Sequence, residues 1–320
     1  MNLLPSLRYL VALNEHRHFG RAAQACHITQ PALSNALRAL EEEFAAVIVK
    51  RERNYVGLTP EGEIILASAQ RMLHEHALLQ ESLKGDAFAP HGPLRIGAVP
   101  TAVPVAARFA AMLQARQSGI RPIVLSLSSA ELEKGLETLS LDLAMGYVER
   151  MDSKGARLGA FAQYTEHYFL LRRADTPQDD GLRIGQPLTW QKAGRFPLCL
   201  LTTEMHNRTI VDAALRQAGV QVAPAMETNS ILAMALCVVQ GQMCGILPGA
   251  LVGAVRSDRQ LEALPLVEPE VRTPIGFMFN AQVRPSRALQ VAMDLARDAQ
   301  WLQHAAMHSG MLTSPEVGSA

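Results

Sequence analysis

The stretch FGRAAQACHITQPALSNALRALEEEF, Phe19 to Phe44, decides how this chain folds. In its second part, Pro31 to Phe44, the residues Leu33, Leu37, Leu40 and Phe44 recur at spacings of four, three and four, the stripe that one helix face buries. Gln30, Ser34, Asn35 and Arg38 fall on the other face. Their amides, hydroxyl and guanidinium suit base edges and phosphates: Asn and Gln match adenine, and Arg matches guanine or a phosphate. Gly20 to Ala25 is rich in alanine, which permits the close helix approach of a helix-turn-helix, and His27-Ile28-Thr29 reads as the turn. A first helix begins near Leu7. Beyond Phe44, Ala46–Val49 and Tyr55–Leu58 read as two short strands around the polar Lys50–Asn54, a wing that sets Lys50, Arg51 and Arg53 beside the helices. A plain three-helix bundle with a solvated polar face fits the same pattern.

Outward from this region, Thr59-Pro60-Glu61 reads as a helix start, with Thr59 as cap, Pro60 in the first turn, and Glu61 and Glu63 complementing the dipole. Along that helix Ile65, Ala69, Met72, His76, Leu79 and Leu83 alternate spacings of four and three, a short heptad seam suited to pairing with a second copy. Lys84 to Pro93 reads as a hinge. From Pro93 onward strands and helices alternate: strands at Leu94–Val99, Pro122–Leu127, Leu141–Tyr147, His167–Arg172, Pro197–Leu201, Met243–Leu247 and Pro274–Phe279, and helices at Thr101–Arg116, Ala130–Leu139, Thr209–Ala218, Ile231–Gln240 and Ser286–Gln303. That alternation predicts an α/β domain with mostly parallel strands, whose ligands sit at strand carboxyl ends. From His304 on, the chain reads as a frayed tail.

Composition sets the limits. At roughly 100–200 residues per domain, 320 residues suggest two or three domains. Thirty basic and thirty acidic side chains balance, which excludes a binder that works by bulk positive charge. The balance is uneven along the chain: residues 1–60 carry seven basic and five acidic side chains, a surplus the remainder cancels. Four cysteines, Cys26, Cys199, Cys237 and Cys244, form no CxxC and read as reduced thiols of a cytoplasmic protein. Arg8 interrupts the N-terminal apolar run, so it does not read as a secretory signal. The uncharged run between Glu227 and Arg256 is long enough for a membrane span. Gln240-Gly241-Gln242, Pro248 and three further glycines break it into a helix, a turn and a strand.

Leu7-Arg8-Tyr9-Leu10-Val11-Ala12-Leu13, Phe19-Gly20-Arg21-Ala22-Ala23, Thr29-Gln30-Pro31-Ala32-Leu33-Ser34, Leu40-Glu41, Arg51 and Leu58-Thr59-Pro60-Glu61-Gly62 together resemble the LysR-type transcriptional regulators over residues 1–85. Gly92–Gly97, Leu141–Ala144 and Gly241–Pro248 fit the same family more loosely. The resemblance implies α/β architecture with an all-α/winged N-terminal domain: a winged helix-turn-helix (1–59), a linker helix and hinge (60–91), and an effector domain similar to periplasmic binding proteins (92–310, subdomain I about 92–164 and 268–306, subdomain II about 165–267), then a flexible tail (311–320). It further implies a homotetramer, a dimer of dimers, on promoter DNA with dyad half-sites, a small-molecule effector, and contact with RNA polymerase. By it the DNA-binding residues are Arg21, Thr29, Gln30, Pro31, Ser34, Asn35, Arg38, Lys50, Arg51 and Arg53.

Glu15–Phe19 and Cys26-His27 resemble the peroxide-sensing branch of that family, which needs a reactive cysteine near the start of a helix in the second half-domain. Here that place holds Asn207, and no thiol follows before Cys237. The expected effector is therefore a small polar or anionic metabolite such as a carboxylate. Pro100 and Thr101 stand where a helix start offers free N–H groups, and Ser128, Ser129, Tyr147, Thr202, His206, Asn207 and Asn229 stand at strand ends or helix starts. As N-caps, several of these would serve structure alone. Thiol-based redox sensing and small-molecule binding without DNA are the alternatives. No enzyme motif, cofactor fingerprint or metal set emerges: GxSxG, a P-loop and HExxH are missing, His74 and His76 are two apart on a helix, and His304 and His308 fall in the tail.

Overall fold

A computed structural model describes residues 2–51, 55–83, 89–151, 157–176, 181–254 and 258–307. The chain divides into two compact units, one built on residues up to Ala89 and one on the chain from Pro90.

The first unit holds α1 (Leu3–His16), α2 (Phe19–Ala25), α3 (Gln30–Glu43), β1 (Val49–Arg51), β2 (Tyr55–Leu58) and α4 (Pro60–Leu83). Leu33, Leu37 and Leu40 of α3 close onto Leu7, Leu10 and Leu13 of α1 and Ala22 and Ala23 of α2 in one core. Two side-chain caps fix the helix-turn-helix. His18 Nδ1 accepts from the Arg21 N–H at 3.3 Å, and Thr29 Oγ1 accepts from the Ala32 N–H at 3.3 Å. His27 takes a left-handed φ of 55° in the turn between them. A cap of this kind contributes about 1 kcal/mol, enough to decide where a short helix begins.

Two expectations need correcting. Phe44 is exposed and caps the end of α3, so it does not belong to the buried stripe. Glu41 near that end accepts from the N–H groups of Ile48 at 3.0 Å and Val49 at 3.2 Å, tying α3 to the wing. The seam of α4 is only half free: Ala69 is buried and Ile65 packed in the first unit's core, whereas Met72, Leu79 and Leu83 are 46, 58 and 79 % exposed. As expected, Thr59 caps α4, its hydroxyl accepting from Gly62 N–H at 2.9 Å. Gly62 leaves no room for a Cβ, which would collide with the Ile48 carbonyl. The tip of the wing, including Arg53, and residues 84–88 of the expected hinge lie outside the described residues.

The second unit is a mixed sheet flanked by helices. On one side β3 (Gly92–Ala98) lies parallel to β4 (Ile120–Ser126) and β5 (Leu143–Tyr147). On the other, β9 (Leu198–Leu201) lies parallel to β10 (Met226–Thr228) and β11 (Cys244–Pro248). Between them runs β6 (Leu158–Arg173), antiparallel to β13 (Arg272–Asn280) from Leu158 to His167 and to β11 and β12 (Leu261–Val267) beyond it. One strand thus serves two α/β halves. Helices α5 (Val103–Arg116), α6 (Ser129–Glu137) and α8 (His206–Gln217) each follow a strand end, α5 after a short turn at Pro100–Ala102. The expected single helix at Ser286–Gln303 is two, α11 (Arg287–Ala296) and α12 (Ala299–Met307). Asp298 begins the second, its carboxylate accepting from Trp301 N–H at 3.1 Å.

Glu166 lies on β6 opposite Thr273, one residue from the point where the strand passes from one half to the other. Its side chain is fully buried. Tyr164 donates to Oε1 at 3.4 Å, and Oε2 has no hydrogen-bond partner among the described residues. Burial pushes the carboxyl up to about 8, so it is mostly protonated at neutral pH. Between its ordinary value of 4.5 and about 8, the folded chain holds a proton that the unfolded chain has released. Stability therefore falls as pH rises through that window. The protein should lose about 1.4 kcal/mol more between pH 7 and pH 9 than Glu166→Gln does, read from urea unfolding at both pH values. Parallel pH dependence in the two proteins would refute this.

Candidate functional site

The first unit presents a polar helix face. Gln30, Pro31, Asn35 and Arg38 are exposed on α3 and Ser34 is half-buried, opposite the leucine stripe. Arg38 Nη1 donates to Asn35 Oδ1 at 3.5 Å, which steadies two of these side chains together. Arg21 is exposed on α2 and Lys50 on β1. Thr29 is exposed as well, but its hydroxyl is occupied by the cap it provides. Arg51 belongs to β1 by its backbone, and the side chain is not among the described ones.

The second unit contains a cleft at the carboxyl ends of its parallel strands. Val99, Pro100, Thr101, Ser128, Ser129 and Tyr147 line it from one half and Leu201, Met205, His206 and Asn207 from the other, around about 200 Å³ of space that is partly open to solvent. Seven of the nine expected effector residues meet there. Thr202 and Asn229 do not: the Thr202 hydroxyl donates to Glu204 at 2.7 Å, and Asn229 is exposed.

The polar groups of the lining differ in how far they are occupied. Thr101 and Tyr147 are buried and share a hydrogen bond of 3.2 Å between their hydroxyls. Burial pushes the Tyr147 phenol far above its usual range, so it stays neutral. Ser128 forms a capping box with Glu131, whose Oε2 accepts from both the N–H and the hydroxyl of Ser128 at 2.8 Å. Ser129 Oγ and Asn207 Nδ2 are buried and make no hydrogen bond of ordinary geometry among the described residues, although the Asn207 amide faces the Tyr147 phenol and offsets part of the effect of its burial.

Around His206 the two halves meet in a polar contact. Its ring packs edge-on against Tyr147, with centroids 4.7 Å apart. Nδ1 lies 3.4 Å from Arg150 Nη1, and Nε2 lies 3.5 Å from Glu149 Oε1. Burial first, and then the Arg150 guanidinium, lower the His206 pKa. The neutral tautomer with its proton on Nε2 fits these neighbours, accepting from Arg150 and donating to Glu149. Arg150 in turn donates to the buried Glu133 at 2.7 Å.

Residues 206–208, expected just ahead of a helix, form the first turn of α8, which begins without a side-chain cap. Arg208 looks from sequence like an anion-binding group, but it turns away from the cleft. It donates to Leu201 O and to Asp212 at 2.8 Å each, and pairs with Glu227. The i, i+4 spacing to Asp212 was the available signal.

The thiols are placed for packing. Cys199 is buried in β9 beside Cys237, and burial pushes its thiol up to about 11. Cys237 Sγ lies 3.2 Å from Met226 Sδ. Burial raises the Cys244 thiol, and burial together with Glu15 raises that of Cys26. A protonated thiol is a poor nucleophile. Asn207 stands at the helix start where the resemblance puts a reactive cysteine. Among the described residues no group of three His, Cys, Asp or Glu side chains is arranged to hold a metal ion, and His308 lies outside them. No described helix is long and apolar enough to cross a membrane.

Comparison with known proteins agrees with this geometry. Residues 4–63 match the bacterial regulatory helix-turn-helix protein, lysR family, and residues 89–301 match the LysR substrate binding domain. The chain is 26% identical over 317 residues to a hydrogen peroxide-inducible genes activator of Dickeya chrysanthemi, covering 96% of this chain and 97% of the relative. It is 27% identical over 283 residues to the DNA-binding transcriptional dual regulator OxyR of Escherichia coli (strain K12), covering 86% and 88%. Full-length OxyR of Pseudomonas aeruginosa, in a cysteine-to-aspartate variant, superposes with a TM-score of 0.70 at 25% identity, covering 93% of this chain and 98% of that one. The chain belongs to the LysR family of bacterial helix-turn-helix transcriptional regulators, with a DNA-binding head followed by an effector-binding domain.

Proposed function

We propose that this regulator reads promoter DNA with dyad half-sites through α3, and that a small polar or anionic metabolite in the cleft of the second unit alters that reading. The exposed polar face of α3, held in place by the Thr29 cap, carries the first half of the proposal. Gln30, Ser34, Asn35 and Arg38 are the base-reading candidates, Pro31 sets the helix start, and Arg21, Lys50, Arg51 and Arg53 supply phosphate contacts. The head would comprise residues 1–59, the linker 60–91 and the effector domain 92–310. The regulator acts in the cytoplasm, where its DNA is, and it works by binding and not by catalysis.

A neutral chain cannot hold DNA by charge alone, so we assign its affinity to paired heads. The exposed Met72, Leu79 and Leu83 of α4 suit a helix-to-helix dimer. Leu232 and Leu236, exposed on α9 (Ile231–Gln240), suit a second contact that would make a dimer of dimers. Contact with RNA polymerase would follow on the bound promoter. One relative is a hydrogen peroxide-inducible genes activator, but in this chain Asn207 and the raised thiols of Cys199 and Cys244 favour a bound effector over a redox switch.

Two outcomes test this. In a mobility-shift titration on the cognate promoter, Arg38→Ala and Ser34→Ala should each weaken binding about tenfold, the effect of losing roughly 1–3 kcal/mol of base contact. Unchanged affinity would remove α3 from the DNA. In a thermal-shift screen of small polar and carboxylate metabolites, effectors should stabilise the wild type and not Thr101→Val. Equal stabilisation of both, or of neither, would remove the cleft from effector binding.

A further inference from the structure

We infer that the effector is a small uncharged molecule whose carbonyl- or amide-type oxygen is taken by Asn207, with Ser129 holding a second polar group from the opposite wall. This rests on the cleft being the effector site.

Two atoms carry the inference. Ser129 Oγ belongs to α6 in one half and Asn207 Nδ2 to α8 in the other. Both line the cleft, their residues are only 8 and 4 % exposed, and neither atom makes a hydrogen bond of ordinary geometry among the described residues, although the Asn207 amide does act on the neighbouring Tyr147 phenol. The other hydroxyls are engaged, Thr101 with Tyr147 and Ser128 with Glu131. A buried polar atom without a partner costs free energy, so these two mark where a ligand's polar groups belong. An amide nitrogen only donates, so the ligand must bring an acceptor to Asn207, whereas the Ser129 hydroxyl can give or take.

Charge decides between a carboxylate and a neutral acceptor. Among the described residues the lining contains no Lys or Arg side chain. Arg208, one residue past Asn207, is committed to Leu201, Asp212 and Glu227, and Arg150 at the rim donates to Glu133. His206 stands in its neutral form, because burial and Arg150 both lower its pKa. The first turn of α8, without a side-chain cap, adds a partial positive field. That field suits the partial charge of a carbonyl oxygen and is too weak to replace the hydration of a full carboxylate. Glu149, beside the His206 ring, opposes a further anion.

The isosteric pair acetamide and acetate tests this by isothermal titration calorimetry on the full chain at pH 7. Acetamide should bind at least tenfold tighter than acetate, and Asn207→Asp, equal in size but lacking the donor, should weaken acetamide at least tenfold. If that variant melts well below the wild type, Ser129→Ala takes its place with the same expected loss. Acetate binding as tightly as acetamide would overturn the inference while leaving the cleft as effector site. Acetamide binding that neither variant changes would overturn it as adventitious contact. Binding of neither probe would overturn it too, and the Thr101→Val screen then judges the effector reading separately.

Discussion

The second unit depends on a single strand that belongs to two halves at once. Up to His167, β6 pairs with β13, and from Tyr168 on it pairs with β11 and β12. Because these pairings are ladders of backbone hydrogen bonds, the two halves cannot slide along one another without breaking register. The parallel strands on either side therefore end facing a common space, and the starts of α6 and α8 meet across it. Glu166, buried next to the crossing, is held protonated, which spares the pivot an unpaired charge. The cleft is thus set by backbone geometry, and its side chains are left to do chemistry.

The head follows the same logic on a smaller scale. Short helices have little intrinsic stability, so their boundaries rest on caps and on a shared core. His18 and Thr29 provide the caps, and the leucine stripe of α3 provides the core. Glu41 holds the start of the wing by its backbone, so the position of Lys50 is linked to that of α3. With thirty charges of each sign, affinity cannot come from a general positive field. It must come from fitted contacts repeated on linked copies.

Much of this was legible in the residues. The four-three spacing of Leu33, Leu37 and Leu40 identified α3, the Thr59-Pro60 start identified α4, and helix Ile231–Gln240 lies where its apolar run put it. What escaped the sequence depended on distant partners. The part of β6 ahead of the expected strand at His167 contains Gln163, Thr165 and Glu166, and these polar residues hide a strand whose partners lie far along the chain. Phe44 fits the stripe by spacing, but it lies past the last helical turn. Arg208 looks like a ligand-facing cation until Asp212 and Glu227 are folded around it. Thr202 and Asn229 sit at the right kind of chain position and still miss the cleft, because position along a strand does not fix which way a side chain turns.

The central claim is that affinity for DNA comes from paired heads and not from charge. Its most direct test is a comparison of two duplexes of equal length, one with both half-sites of the cognate promoter and one with a single half-site scrambled, each titrated at fixed salt. Binding to the scrambled duplex should be at least a hundredfold weaker. Equal affinity for the two duplexes would contradict it.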